Sequence, residues 1–253
     1  MPNPVTESGD APGLTGAPIL LAIETAGSRC SAAVTRGERI LASVSQALRH
    51  GHGEALLPIV DRAMSEAEIK PSQLTMVAVA IGPGGFTGIR VGLAAAQGIA
   101  LATGARLLGV TGFAAVAQAL RRTGPGDAVP GANLLVALDS RRDDLYVQLF
   151  APDMATPLAP PCAVLPDALE EYVGAGAAAA PLLLAGDAAE AAAAALPHGF
   201  NLQIVPDSIP DAVGVAAAAL EAAGSVEPVR PLYLRPPDVT LPKPPGMPTP
   251  VGP

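Results

Sequence analysis

The sequence predicts an α/β protein of two similar lobes, each a mixed sheet flanked by helices. Three observations carry that expectation. Short apolar runs of strand length, at Ile19–Glu24, Met76–Ile81, Leu107–Val110 and Leu134–Leu138, alternate with stretches of helical period. Strand, crossover helix and strand in succession mark a parallel or mixed sheet covered on both faces. The pattern then restarts beyond residues 121–132 (RRTGPGDAVPGA), and each half opens with a hairpin and ends in alternating helices and strands.

In the first half, ILLAIE at Ile19–Glu24 is rich in branched residues and reads as a buried strand. Ser31–Thr35 and Arg39–Ser45 form a hairpin around Arg36-Gly37-Glu38. The period then changes. Leu56, Leu57, Val60, Ala63, Met64 and Ala67 share one stripe of a helix at Glu54–Ala67, with Asp61, Arg62, Ser65 and Glu66 opposite. Pro58 must then sit in or near the first turn, where a missing N–H is tolerated. Met76–Ile81 is a continuous apolar strand ended by Gly82–Gly88. A helix at Ile89–Thr103, a strand at Leu107–Val110 and a helix at Phe113–Leu120 follow.

The second half repeats the plan. Residues 121–132 read as a linker. Leu134–Leu138 and Leu145–Phe150 are strands around a turn at Asp139–Asp144, and Ala151–Pro161 is a proline-rich loop. Pro166–Val173 is a short helix, Leu182–Ala185 a strand, Ala188–Leu196 a helix, Leu202–Val205 a strand and Asp211–Ala222 a helix. The alanine-rich run from 175 to 195 resembles low complexity, but Pro181 and Leu182–Leu184 break it. The organisation expected is a flexible tail at 1–18, lobes at 19–120 and 121–235, and a proline-rich flexible tail at 236–253. The tails carry 4 and 8 of the 28 prolines.

Composition bounds the function. Of 253 residues, 50% are apolar and 15% charged, which excludes a fully disordered chain. With 15 Lys+Arg against 23 Asp+Glu the net charge is −8, unfavourable for tight binding of bare nucleic acid. Two cysteines, Cys30 and Cys162, are too few for a disulfide framework or a cysteine zinc site. No basic residue precedes the first apolar run, and the apolar stretch 91–105, between Arg90 and Arg106, has 15 residues and contains Gln97. A cytoplasmic protein without a membrane span is the expectation.

The glycine loop at Gly82–Gly88 lies between strand and helix, where phosphate loops are found. It is neither a P-loop, because Ile89 follows Gly88 where a lysine is needed, nor a dinucleotide fingerprint, because Gly82, Gly84 and Gly88 are misspaced. No acid follows to hold a ribose, since 69–126 contains no Asp or Glu. Two readings stay open: a tight turn for close approach, or an anion held at the start of the helix. The same stretch carries Lys70, Arg90, Arg106, Arg121 and Arg122, a charge of +5 inside an acidic chain. His50 and His52 read as exposed loop without a third ligand, so no metal is expected, and no nucleophile–base arrangement is visible. Glu24-Thr25 and Asp139 end strands at the C-terminal edge where α/β sites form, and capping a turn is their other reading.

The succession LAIET at 21–25, HGEALLP at 52–58, GPGGFTGIRVG at 82–92, LDSRRDDLYV at 138–147 and PLYLR at 231–235 resembles the TsaB (YeaZ) family. The resemblance implies the two-lobed fold of actin, the sugar kinases and the heat-shock chaperone ATPases. It implies a non-catalytic subunit that pairs with the catalytic TsaD. With the ATPase TsaE, that complex transfers a threonylcarbamoyl group to the adenosine beside the anticodon of tRNA. RNA would be met only through the complex, and the chain alone would form a homodimer. Active members of the fold carry an Asp in the first-strand turn and a glycine pair in the adenosine turn. Here those places hold Glu24 and the single Gly186 of LAGD at 184–187, so no resident cofactor is expected. Glu24, Thr25, Asp139 and Gly186 remain candidates for weak nucleotide binding between the lobes. The partner surface is expected on the ridge Gly88, Gly92, Ala96 and Ala100 and on the stripe Leu56, Leu57, Val60 and Met64, with Leu56 and Leu57 inward. Packing of both helices on their own sheet is the alternative. The competing functions are an independent small-molecule kinase or ATPase and a metallopeptidase, the latter lacking its histidines.

Overall fold

Leu20–Ile23 are wholly buried, which requires a cover on each face of the strand they form. The computed structural model, describing residues 16–48, 50–124, 129–174, 180–222 and 229–235, supplies both covers. Strand β1 (Ile19–Glu24) is central in a five-stranded sheet with β2 (Arg29–Arg36), β3 (Arg39–Ala47), β4 (Met76–Ala80) and β5 (Arg106–Val110), in the order β3-β2-β1-β4-β5. It runs antiparallel to β2, with Leu21 opposite Val34, and parallel to β4, with Leu21 opposite Val77. The second sheet repeats this arrangement. Strand β6 (Asn133–Asp139) is antiparallel to β7 (Leu145–Phe150) and parallel to β9 (Leu182–Ala185), with β8 (Cys162–Val164) and β10 (Leu202–Ile204) at the edges. The duplicated plan expected for the actin and sugar-kinase fold is thus present.

Alternation along the strands decides which helix covers which face. On one side of the first sheet, Leu21, Ile23, Val77 and Val79 meet α1 (His52–Glu66) through Leu56, Ile59, Val60 and Ala63. They meet α2 (Phe86–Thr103) through Ile89, Leu93 and Ala96. On the other side, Leu20, Ala22, Ala78 and Ala80 are covered by Ala212, Val215, Ala216 and Ala219 of α6 (Ala212–Glu221). The inner face of the second sheet, Leu134, Val136 and Leu138, is covered by Phe113, Val116 and Leu120 of α3 (Gly112–Thr123). Its outer face packs on α4 (Leu169–Val173) and α5 (Ala189–Ala195). Sequence order and packing therefore cross at the middle layer: α3 follows the last strand of the first sheet yet serves the second, and α6 follows the last strand of the second yet serves the first. The two helices touch where Gly214, lacking a Cβ, admits the carbonyl of Ala115. The Ala212 N–H also donates to buried Ser31 Oγ at 3.0 Å, joining α6 to β2.

Several boundaries differ from expectation. Gly51 in a left-handed conformation (φ 84°) starts α1 at His52, two residues early. Pro58 consequently lies inside the helix rather than in its first turn, on the exposed side. His52 is helical instead of loop, whereas His50 is exposed outside the helix. Helix α2 starts at Phe86, three residues early. Helix α3 continues through Arg121–Thr123, which the linker reading took, and stops at left-handed Gly124; its terminal arginines suit the negative end of the helix dipole. The edge strand β8 has three residues and no periodicity to betray it. The tails at 1–15 and 236–253, and residues 125–128 of the linker, lie outside the described residues. Helix α2 is long and apolar enough for a membrane span by length and composition, but one face is buried against the first sheet.

Candidate functional site

Strand β1 delivers Glu24 to the cleft between the sheets, where it is 1% exposed. Its Oε1 accepts the N–H groups of Ala26 at 2.6 Å and Gly27 at 3.0 Å, closing the turn that follows the strand. Its Oε2 is buried without a partner among the described residues. Burial is the main reason that the carboxyl is pushed up to about 7. The two N–H donors oppose the rise, and the charges of Asp211 and Asp187 add to it. Asp139 closes the equivalent turn of the second sheet, accepting the Arg141 N–H at 2.7 Å, and its own N–H donates to Asp187 Oδ1 at 2.9 Å. Glu24, Asp139 and Asp187 thus line one cavity with Arg141, but its volume is only about 40 Å³. That is room for a water or two and not for a nucleotide.

The other two candidates point elsewhere. Thr25 Oγ1 donates to the Gly88 carbonyl at 2.8 Å, anchoring α2 to the first turn. A Cβ on Gly186 (φ 104°) would collide with the Ala137 carbonyl, so this glycine permits close packing inside the second sheet. The glycine loop also approaches the first turn closely. The Gly85 N–H donates to the Ala26 carbonyl at 2.8 Å, and a Cβ at Gly84 would collide with that same oxygen. Burial lowers the His52 pKa, with Arg141 assisting, and burial pushes the Cys30 thiol up to about 11, with Glu24 adding to the rise. Among the described residues, no three His, Cys, Asp or Glu side chains are close enough to hold a metal ion.

The expected partner surface divides. Gly88, Gly92 and Ala96 are buried inward: a side chain at Gly92 would strike Thr25 Oγ1 and Val79. The ridge is where α2 lies close to its own sheet. Leu56 is inward as expected, whereas Leu57, expected inward, is 59% exposed, because successive helical residues point about 100° apart. Leu57, Val60 and Met64 of α1 and Ile99 and Ala102 of α2 instead line an apolar groove of about 680 Å³ on the outer surface. Ile99 and Ala102 were missed because they lie off the small-residue ridge.

A second cavity also escaped the sequence reading. The segment Pro231–Arg235 straps the two lobes together: the Leu232 N–H donates to the Ile81 carbonyl at 2.8 Å, and Arg235 pairs with Asp144 of the second lobe. Tyr233 stacks on Phe86 with centroids 5.5 Å apart. Beneath the strap is a cavity of about 600 Å³ lined by four arginines, Arg90, Arg141, Arg142 and Arg235. PLYLR and the basic stretch around Arg90 were each visible in the sequence, but nothing local said that they meet.

A family model described as TsaD, tRNA N6-adenosine threonylcarbamoyltransferase, matches residues 40–156. The tRNA threonylcarbamoyladenosine biosynthesis protein TsaB of Haemophilus influenzae is 30% identical over 128 residues, 50% of this chain and 51% of the relative. That of Escherichia coli is 31% identical over 50% and 52%. The chain thus spans about half the length of these curated relatives. An uncharacterized protein of Mycobacterium tuberculosis is 31% identical over 87% of this chain and 92% of its own. The structure titled YeaZ from Pseudomonas aeruginosa superposes with a TM-score of 0.73 at 26% identity, covering 86% of this chain and 100% of that one. Likeness in sequence and likeness in fold agree over nearly the whole body, and the chain belongs to the TsaB (YeaZ) family.

Proposed function

We propose that this chain is a non-catalytic subunit in the biosynthesis of threonylcarbamoyladenosine in tRNA, pairing with a catalytic TsaD-type protein. The observation that carries this reading is the cleft. Where an ATPase of this fold would seat its nucleotide, the two turns close to a cavity of about 40 Å³, and its acid, Glu24, has its pKa near 7. A carboxyl that spends much of its time protonated is a poor metal ligand. The chain therefore works by association. Its docking surface is the groove between α1 and α2, where Leu57 is 59% exposed, with Leu101 of α2 projecting nearby at 88%. A partner helix lying in this groove buries that apolar surface, and two copies of the chain use the same face when the partner is absent. In the assembly, a TsaE-type ATPase supplies nucleotide turnover, and tRNA is held by the complex.

Co-expression with a TsaD-type partner and size-exclusion chromatography test the reading. The pair is expected to elute together, and Leu57→Glu to abolish the pair while the variant keeps the wild-type melting temperature. Separate elution of the two wild-type chains, or ATP hydrolysis by this chain alone, refutes it.

A further inference from the structure

We infer that the 600 Å³ cavity beneath the Pro231–Arg235 strap is a binding site for a nucleotide unit, an aromatic base carrying a phosphate. Three features of the cavity support this. The first is charge: Arg90, Arg141, Arg142 and Arg235 line it, and no carboxylate among the described residues does, in a chain of net charge −8. Arg235 pairs with Asp144, and Arg141 also faces the acids of the closed cleft. Arginine is the side chain whose fork of donors fits phosphate oxygens.

The second feature is aromatic surface. Phe86 and Tyr233 remain 50% and 43% exposed although they stack on each other. The Arg90 guanidinium lies 3.7 Å from the Phe86 centroid, and its Nε donates to the Tyr233 hydroxyl at 3.1 Å. That bond uses one of five N–H groups, so Arg90 is positioned with donors to spare. Aromatic faces beside arginines form the surface on which bases stack while the phosphate is held. The third feature is the start of α2, an 18-residue helix whose first residue is Phe86 and which no side chain caps, so its positive end opens at this wall. A volume of 600 Å³ is within the range of sites that enclose a small ligand. The ligand is either a free nucleotide or a nucleotide of a single RNA strand. The second source rests on the role in tRNA modification proposed above.

Titration of the purified full-length chain with AMP, adenosine, ribose 5-phosphate and a fluorescent single-stranded RNA decides between these. AMP is expected to bind at least about tenfold more tightly than adenosine or ribose 5-phosphate, because stacking and phosphate contacts both contribute. Tyr233→Ala is expected to weaken AMP about 5- to 150-fold, the loss typical of one stacked base, and Tyr233→Phe to retain it. Arg142→Gln, an exposed position, is expected to weaken AMP and flatten the salt dependence; it keeps the test valid if Tyr233→Ala unfolds. RNA binding that AMP displaces identifies a strand as the source, and AMP binding without RNA binding identifies a free nucleotide. Absence of binding by both, or affinity unchanged in Tyr233→Ala and Arg142→Gln, overturns the site. Because the titration needs no partner, failure of TsaD pairing leaves this result standing, and the reverse also holds.

Discussion

Replacing Glu24 with glutamine isolates the energetic cost of the buried carboxyl. The side chain is 1% exposed, and its pKa rises from 4.5 to about 7. Below pH 4.5 the group is protonated in both folded and unfolded chains, and its stabilising contribution is fully present. Between pH 4.5 and 7 the unfolded chain ionises while the folded one holds its proton, so stability falls. Above 7 both are ionised and the loss is complete. At 1.36 kcal/mol per pKa unit the loss is about 3 kcal/mol. The amide side chain of the Glu24→Gln variant keeps an oxygen to accept the Ala26 and Gly27 N–H groups but cannot ionise. Urea melts of wild type and variant from pH 4 to 8.5 should therefore diverge. The variant should be the more stable above pH 7 by about 3 kcal/mol, or roughly 6–12 °C in melting temperature. Curves that stay parallel across this range would refute the argument, since every other titrating group is shared.

Gly92→Leu places a side chain against Thr25 Oγ1 and Val79, and should destabilise the isolated chain by about 1–3 kcal/mol in a thermal melt rather than act on a partner alone. Gly98→Ala, on the same helix with nothing within 4 Å of its would-be Cβ, should stabilise by about 0.5–1 kcal/mol in the same assay. Asp144→Ala removes the partner of Arg235 and leaves the Ser140 hydroxyl only the backbone carbonyl of residue 144 as acceptor, which loosens the strap. The Leu232 N–H, held by the Ile81 carbonyl, should then exchange with deuterium several-fold faster than in wild type.

Most of the sheet framework was legible because period 2 and continuous apolar runs are local properties. Leu182–Ala185 was read residue for residue despite its alanine-rich surroundings, since Pro181 and three leucines are a local signal. Helix starts were read late where a left-handed glycine such as Gly51, and not a capping side chain, begins the helix. The site was harder. Small residues in register at Gly88, Gly92 and Ala96 announce a close approach but not what approaches, and at Gly88 and Gly92 it is Thr25 of the same chain. The arginine cavity joins residues near 86–90, 141–146 and 231–235, a separation that no periodicity spans.

The exchange of α3 and α6 between the halves sets a timetable for synthesis. One face of β1 and β4, with Leu20, Ala22, Ala78 and Ala80, has no cover until Ala212–Glu221 has been made. At about 5–20 residues per second, the roughly 100 residues between β5 and α6 leave that apolar face bare for some 5–20 s. A nascent chain in this interval offers a hydrophobic surface to chaperones. A chain truncated before Ala212 never withdraws it, and supplying the missing C-terminal fragment as a separate polypeptide is the way to rescue one.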